Sequence, residues 1–189
     1  VADVVTGYAI MLTRGLHRID NAVREGEWIC PRGVSLAGKT FGVIGVGDIG
    51  STVARRAHAL GMDVVGSDVV PIPDDLVADT GIERVDQDEL LDRADVVSLN
   101  CALTPETRGM IGEAELERLG TDGYLINTAR GELVDQDALV DALETSTIAG
   151  AALDVFQEEP LPSDDPLTEF DSVILGSHNA QNTEEAVSR

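Results

Sequence analysis

Three residues of this 189-residue chain combine reactive side chains with positions at the ends of apolar runs. Arg130 follows "YLINTA", Glu159 lies in "DVFQEEP", and His178 follows "VILGS". A histidine titrates nearest neutral pH and can exchange a proton with a reacting centre. A carboxylate hydrogen-bonded to the far ring nitrogen fixes the ring and favours its protonated form. An arginine fork holds a carboxylate through two hydrogen bonds or polarises a carbonyl. Taken singly, each residue has a plainer reading: Arg130 as an ion-pair partner of Glu132 or Asp135, Glu159 as one more charge in an acidic loop, His178 as a cap before "NTEEA".

A glycine loop earlier in the chain supplies the context in which the three make sense together. "VIGVGDIG" carries Gly45, Gly47 and Gly50 in G-x-G-x-x-G order, between an apolar run and a helix-like stretch. Such a loop turns tightly, lets the backbone approach a pyrophosphate, and aims the N–H groups of the helix start at it. The motif also requires an acid at the end of the next strand to accept hydrogen bonds from the adenosine ribose. "MDVVGSD" ends in Asp68, 18 residues beyond Gly50. Asp68 repels a 2′-phosphate and "VVPIP" after it offers no compensating arginine, so NAD is expected rather than NADP. Hydride transfer from a reduced nicotinamide to a carbonyl leaves an oxyanion that needs a proton, which is the part His178 fits.

The elements that must position these residues read clearly. Residues 1–26 place apolar side chains at near-helical spacing, as one bent helix or two in succession. The apolar runs "TFGVIGVG", "MDVVGSD", "ADVVSLN", "DGYLINTA", "IAGAALDV" and "DSVILGS" then alternate with the helix-like "DIGSTVARRAHALG", "DQDELLDR", "GEAELERLG" and "DQDALVDALE". Strands joined by helical crossovers run parallel, which predicts an α/β, doubly wound, Rossmann-type sheet in three layers, α/β/α. In such sheets ligands lie outside the carboxyl ends of the strands, where Arg130, Glu159 and His178 fall.

Composition narrows the partners. The chain is 43% apolar, enough for a substantial core, and its formal net charge of −22 opposes nucleic acid and anionic membranes. Lys39 is the sole lysine, and the acidity is spread along the chain, a pattern suited to concentrated salt, where the Debye length shrinks to roughly 3 Å at 1 M. No run approaches the ~18 apolar residues of a membrane span, and no secretory pattern opens the sequence. Cys30 and Cys101 have neither metal-ligand spacing nor disulfide density, so a reducing cytoplasm and no metal are expected. His17 and His58, within helical stretches, read as helix-surface or core-edge residues.

With these pieces assembled, the chain resembles the D-isomer-specific 2-hydroxyacid dehydrogenases. "VIGVGDIG", "LTPETRGMIG", "INTARGELVD", "AALDVFQEEP" and "GSHNA" look like that family's successive signatures, spread through nearly the whole chain. The resemblance implies an NAD-dependent oxidoreductase interconverting a 2-oxo acid and a D-2-hydroxy acid, most like phosphoglycerate dehydrogenase. 3-Phosphohydroxypyruvate, hydroxypyruvate, glyoxylate and pyruvate are the substrates in view. By resemblance Arg130 binds the substrate's carboxylate and carbonyl oxygen, His178 is the general acid/base, and Glu159 is its partner. Asp48 and Ile49 join the glycines at the pyrophosphate, and Asp68 takes the ribose. Thr128, Ala129 and Asp154 lie near the nicotinamide, and Cys101 and Thr107 beside the adenosine. The sequence departs from the family pattern at Asn100 and Ala102, where His-x-Pro is common, and at "GSHNA", which replaces Pro-His.

The resemblance also sets the domain plan. Residues 1–189 correspond to a cofactor domain, with 1–26 as interdomain and dimer-contact helices and 40–189 as the Rossmann core, while the substrate domain lies outside this chain. A cofactor domain alone is expected to bind NAD and turn over poorly, and the family forms homodimers. A different class of function shares the fold: an NADH-sensing module that recruits protein partners, as in the related transcriptional corepressors. Formate dehydrogenase chemistry is disfavoured by Glu159, since those enzymes tend to carry glutamine there.

Overall fold

The computed structural model describes residues 1–187, so positions 188 and 189 of the expected cofactor domain lie outside the described residues. The strands are β1 (Thr40–Ile44), β2 (Asp63–Ser67), β3 (Glu83–Arg84), β4 (Val96–Leu99), β5 (Tyr124–Asn127), β6 (Gly150–Leu153) and β7 (Val173–Leu175). They form one sheet in the order β3-β2-β1-β4-β5-β6-β7, every neighbouring pair parallel. The helices are α1 (Ala2–Arg14), α2 (Leu16–Arg24), α3 (Asp48–Ala59), α4 (Asp74–Thr80), α5 (Gln87–Arg93), α6 (Glu113–Leu119), α7 (Gln136–Glu144) and α8 (Glu184–Val187).

The central strands are apolar throughout because helices cover both faces of the sheet. Period-2 alternation divides their side chains between two cores. Val97, Leu99 and Leu125 point into one, with Leu90, Leu116 and Leu139 of α5, α6 and α7. Val96, Ile126 and Ala152 point into the other, with Val5 and Ala9 of α1 and Val53 of α3. The expected doubly wound, three-layer architecture is therefore the observed one.

Successive strands are added to one side of β1 up to β3 and to the other side from β4 onward, so the crevice between the β1 and β4 ends is the switch point at which such sheets bind ligands. Gly15, in the left-handed region at φ 60°, separates α1 from α2 and decides the opening segment in favour of two helices. α1 packs against α3, β5, β6 and β7, placing the first helix behind the strand ends that carry the later polar residues. Aspartates cap the crossover helices: Asp86 accepts the Glu89 N–H, and Asp135 accepts those of Asp137 and Ala138. Among the described residues, no helix is long and apolar enough to cross a membrane.

Candidate active site

The glycine loop is built by close approach. Gly45 has φ 87°, and a Cβ there would sit 2.6 Å from the Cys101 backbone nitrogen, so the end of β1 lies against the end of β4. A Cβ on Gly50 would collide with the Gly45 carbonyl oxygen, whereas one on Gly47 would meet nothing within 4 Å. Gly47 is the residue that caps α3, so the cap places no side chain over the start of the helix. The loop is thus open where an anion would meet the helix start, and closed where helix and strand pack.

Asp68 stands at the end of β2 and grips the loop: Oδ2 accepts the Val46 N–H at 2.6 Å, and Oδ1 accepts the Val70 N–H at 3.0 Å. Two hollows run from there along the strand ends. One, of about 660 Å³, is lined by Gly45, Gly47, Asp68, Cys101 and Thr107. The other, of about 510 Å³, is lined by Ile49, Thr128, Ala129 and Arg130. Asn100, Cys101 and Ala102 line both, so the hollows lie side by side and form one trough along the strand ends. Thr107 shapes the wall by donating to the Ala102 carbonyl at 2.8 Å while accepting the Thr104 N–H at 2.8 Å. The half-buried Cys101 thiol has its pKa pushed up by burial.

Arg130 ends the turn that leaves β5. Its exposed guanidinium donates to the Ala129 carbonyl at 2.6 Å. The turn is set by Asn127, a residue the sequence reading passed over. Buried at 1% exposure, Asn127 accepts the Ala129 N–H at 3.0 Å and donates to the Arg130 carbonyl at 2.8 Å. Its signal was legible in principle, being a polar residue at the end of an otherwise apolar strand.

Glu159 and His178, 19 residues apart, come into contact: His178 Nδ1 lies 2.7 Å from Glu159 Oε2. Glu159 Oε1 accepts the Phe156 N–H at 3.0 Å. The His178 partner first, then the Phe156 N–H, hold the Glu159 carboxyl below its ordinary range, and the charge of Arg130 adds to the effect. With Nδ1 engaged by the carboxylate, Nε2 is left for other partners. His178 itself has φ 55°, uncommon for a residue with a Cβ.

The remaining predicted residues divide by exposure. Asp48 and Ile49 are exposed on the first turn of α3. Asp154, at the end of β6, is 1% exposed and lines neither hollow. Its Oδ2 accepts the Ala180 N–H at 2.7 Å, and its carbonyl accepts the His178 N–H at 2.7 Å.

Residues 6–180 match the family described as D-isomer specific 2-hydroxyacid dehydrogenase, NAD binding domain. A glyoxylate reductase of Thermofilum pendens is 41% identical over 195 residues, covering 100% of this chain and 58% of its own length. A D-3-phosphoglycerate dehydrogenase of Methanocaldococcus jannaschii is 42% identical over 189 residues, covering 98% of this chain and 36% of its own. The crystal structure of D-lactate dehydrogenase with NAD+ from Lactobacillus jensenii superposes with a TM-score of 0.90 at 33% identity, over 99% of this chain and 60% of that one. A glyoxylate reductase from Paecilomyes thermophila gives 0.91 at 38%, over 99% and 57%. This chain thus spans between about one third and three fifths of these relatives. The match over residues 6–180, on a parallel sheet whose strand ends carry the open glycine loop, makes this chain a member of the D-isomer specific 2-hydroxyacid dehydrogenase family, in its NAD-binding domain.

Proposed function

We propose that this chain is the cofactor domain of a cytoplasmic enzyme that interconverts a 2-oxo acid and a D-2-hydroxy acid with NAD. The observation that carries the reading is the Glu159–His178 pair, 2.7 Å apart, on the strand-end side of the sheet where the trough opens. The trough fits a dinucleotide because Gly47 leaves the start of α3 open to a pyrophosphate, with Asp48 and Ile49 beside it. Asp68 takes the ribose, Cys101 and Thr107 flank the adenosine, and Thr128 and Ala129 line the nicotinamide end, with Asp154 supporting that end from behind.

When bound, the reduced nicotinamide supplies the hydride; the chain's own residues hold the substrate and the proton. Arg130 binds the substrate's carboxylate and draws charge onto its carbonyl oxygen. His178 holds at Nε2 the proton that this oxygen receives, and takes it back in the reverse direction. Glu159 orients the ring and stabilises its positive charge. The substrate's side chain meets a second domain outside these residues, and the relatives' names make glyoxylate and 3-phosphohydroxypyruvate the first acids to try.

The test follows NADH absorbance in multimolar KCl, with the full-length enzyme and a panel of 2-oxo acids, beside His178→Ala. Oxidation by one acid, lost by ~100-fold in the variant, is the expected result. Tight NADH binding with no turnover of any acid would replace this reading with the sensor.

Two copies of the chain are proposed to pair through the α2 region, where Leu16, Val23 and Trp28 are exposed at 43%, 47% and 86%. Sedimentation at high salt should give the mass of a dimer, and a monomer at every concentration removes that part of the proposal.

A further inference from the structure

His178 depends on Asp154 for its conformation. A left-handed φ at a non-glycine residue is strained and persists only when neighbours fix it. Here Asp154 fixes it twice, once by accepting the His178 N–H at its carbonyl and once by accepting the Ala180 N–H at Oδ2. The second hold requires the carboxylate to keep one orientation although it is 1% exposed and cannot rely on solvent.

The other carboxylate oxygen, Oδ1, lies 3.5 Å from the hydroxyl of Tyr8 on α1, and that hydroxyl donates to it. The two groups are pressed together against the backbone of Gly176: a Cβ there would collide with Asp154 Oδ1 and come within 2.6 Å of the Tyr8 hydroxyl. Burial first, and the Asp154 charge second, push the Tyr8 pKa up to about 12, so the phenol remains a donor across the working pH range.

We propose that Tyr8 is a positioning residue: its hydroxyl locks the Asp154 carboxylate, which holds Ala180 and thereby sets the ring of His178. Tyr8 makes no contact with the reacting atoms. Its effect runs from the first helix, through the buried carboxylate, to the loop that carries the proton. Without the hydroxyl, Oδ1 is a buried carboxylate oxygen that has lost its Tyr8 donor, and the carboxylate is free to turn away from Ala180.

Tyr8→Phe tests this, since the ring keeps its packing and only the hydroxyl is lost. Amide exchange is read on this chain by NMR. The expected result is ~10-fold faster exchange at His178 and Ala180, with the β5 amides of Leu125 and Ile126 unchanged. Unchanged exchange at His178 and Ala180, or equal acceleration along the whole chain, overturns the proposal. A second measurement rests on the dehydrogenase reading and uses the full-length enzyme. Tyr8→Phe should lower kcat by ~10-fold while KM for NADH and for the 2-oxo acid stays within about twofold. A loosened loop with unchanged kcat overturns the link to His178. If the unsubstituted enzyme reduces no 2-oxo acid, the dehydrogenase reading fails, and amide exchange alone decides the role of Tyr8.

Discussion

Glu159 joins His178 to the backbone of its own loop: Oε2 lies 2.7 Å from His178 Nδ1, while Oε1 accepts the Phe156 N–H at 3.0 Å. A carboxylate tied at both oxygens cannot swing, so the ring it meets is held in one orientation. Glu159→Gln keeps the size and loses the charge. We expect kcat to fall by about 10- to 100-fold, the usual cost of removing an orienting partner, with KM for NADH unchanged. Steady-state kinetics at saturating NADH checks this, and a variant of undiminished kcat would remove Glu159 from the mechanism.

The same pair gives a pH signature in stability. His178 and the Phe156 N–H hold the folded Glu159 carboxyl below its ordinary pKa of 4.5. The stability this contributes is complete above that value and is lost as pH falls through the lower, folded value. Thermal melts on either side of pH 4.5 should therefore show a larger acid-induced drop in the unsubstituted protein than in Glu159→Gln. Equal drops would mean that the pair does not form in solution.

Gly47 and Gly50 predict opposite behaviour from the same substitution. A Cβ on Gly47 meets nothing within 4 Å, and its φ of −75° is open to any residue. Gly47→Ala should melt with the unsubstituted protein yet bind NADH ~10-fold more weakly, because the methyl group occupies space the pyrophosphate needs. A Cβ on Gly50 strikes the Gly45 carbonyl, so Gly50→Ala must push α3 off the sheet. A cost of about 2 kcal/mol corresponds to a Tm drop of roughly 4–8 °C in a domain of this size. Calorimetry and NADH fluorescence titration on the two variants separate the effects, and a Gly47→Ala protein of undiminished affinity would place the pyrophosphate elsewhere.

Much of this was legible in the sequence because the signals are local. Each of the six apolar runs contains one of the strands β1, β2, β4, β5, β6 and β7, and the four helix-like stretches contain α3, α5, α6 and α7. β3 went unread because two residues, Glu83 and Arg84, carry no periodicity, and both are exposed at the sheet edge. α4 went unread because its seven residues follow Pro73 and begin with two aspartates, more like a loop than an amphipathic helix. At the site, spacing pointed to Gly47 and Asp68, while the strand-end positions singled out Arg130, Glu159 and His178, whose roles the family resemblance implied. Asn127 carried a local signal, a polar residue ending an apolar strand, whereas the Tyr8–Asp154 link was not readable, since 146 residues separate the pair and only the fold brings them together. The burial of Asp154 was equally hidden, because sequence position cannot tell a carboxylate facing the trough from one behind it.

Asp68 has two tasks, and they should come apart on substitution. Its carboxylate holds the Val46 and Val70 N–H groups at 2.6 and 3.0 Å, and under the proposed function its charge opposes a 2′-phosphate on the bound cofactor. Asp68→Ser removes the charge and shortens the acceptor. NADH affinity should fall by ~10- to 100-fold as ribose and loop contacts are lost, while the ratio of NADPH to NADH affinity rises. Arg84, whose guanidinium donates to the Asp68 carbonyl at 3.0 Å, is the nearby cation that a 2′-phosphate could then use. Parallel titrations with the two cofactors measure both effects, and an unchanged ratio would mean that Asp68 does not select between them.

Arg130 offers the sharpest division between binding substrate and binding cofactor. Its guanidinium is exposed, its backbone is clamped by the buried Asn127, and it lines the hollow on the Thr128 side of the trough. Arg130→Lys keeps the charge and loses the planar fork, so bidentate recognition of a carboxylate fails while long-range attraction survives. KM for the 2-oxo acid should rise by ~100-fold, about 3 kcal/mol for two charge-assisted hydrogen bonds, with NADH affinity intact. Asn127→Ala should act on the same step from behind. It leaves the Arg130 carbonyl and the Ala129 N–H without their side-chain partner, which costs about 2 kcal/mol of stability and lets the turn relax. If both variants raise KM for the oxo acid and leave NADH binding alone, the turn after β5 is the substrate's anchor. If Arg130→Lys instead weakens NADH and spares the acid, the arginine serves the cofactor and the carboxylate is held elsewhere.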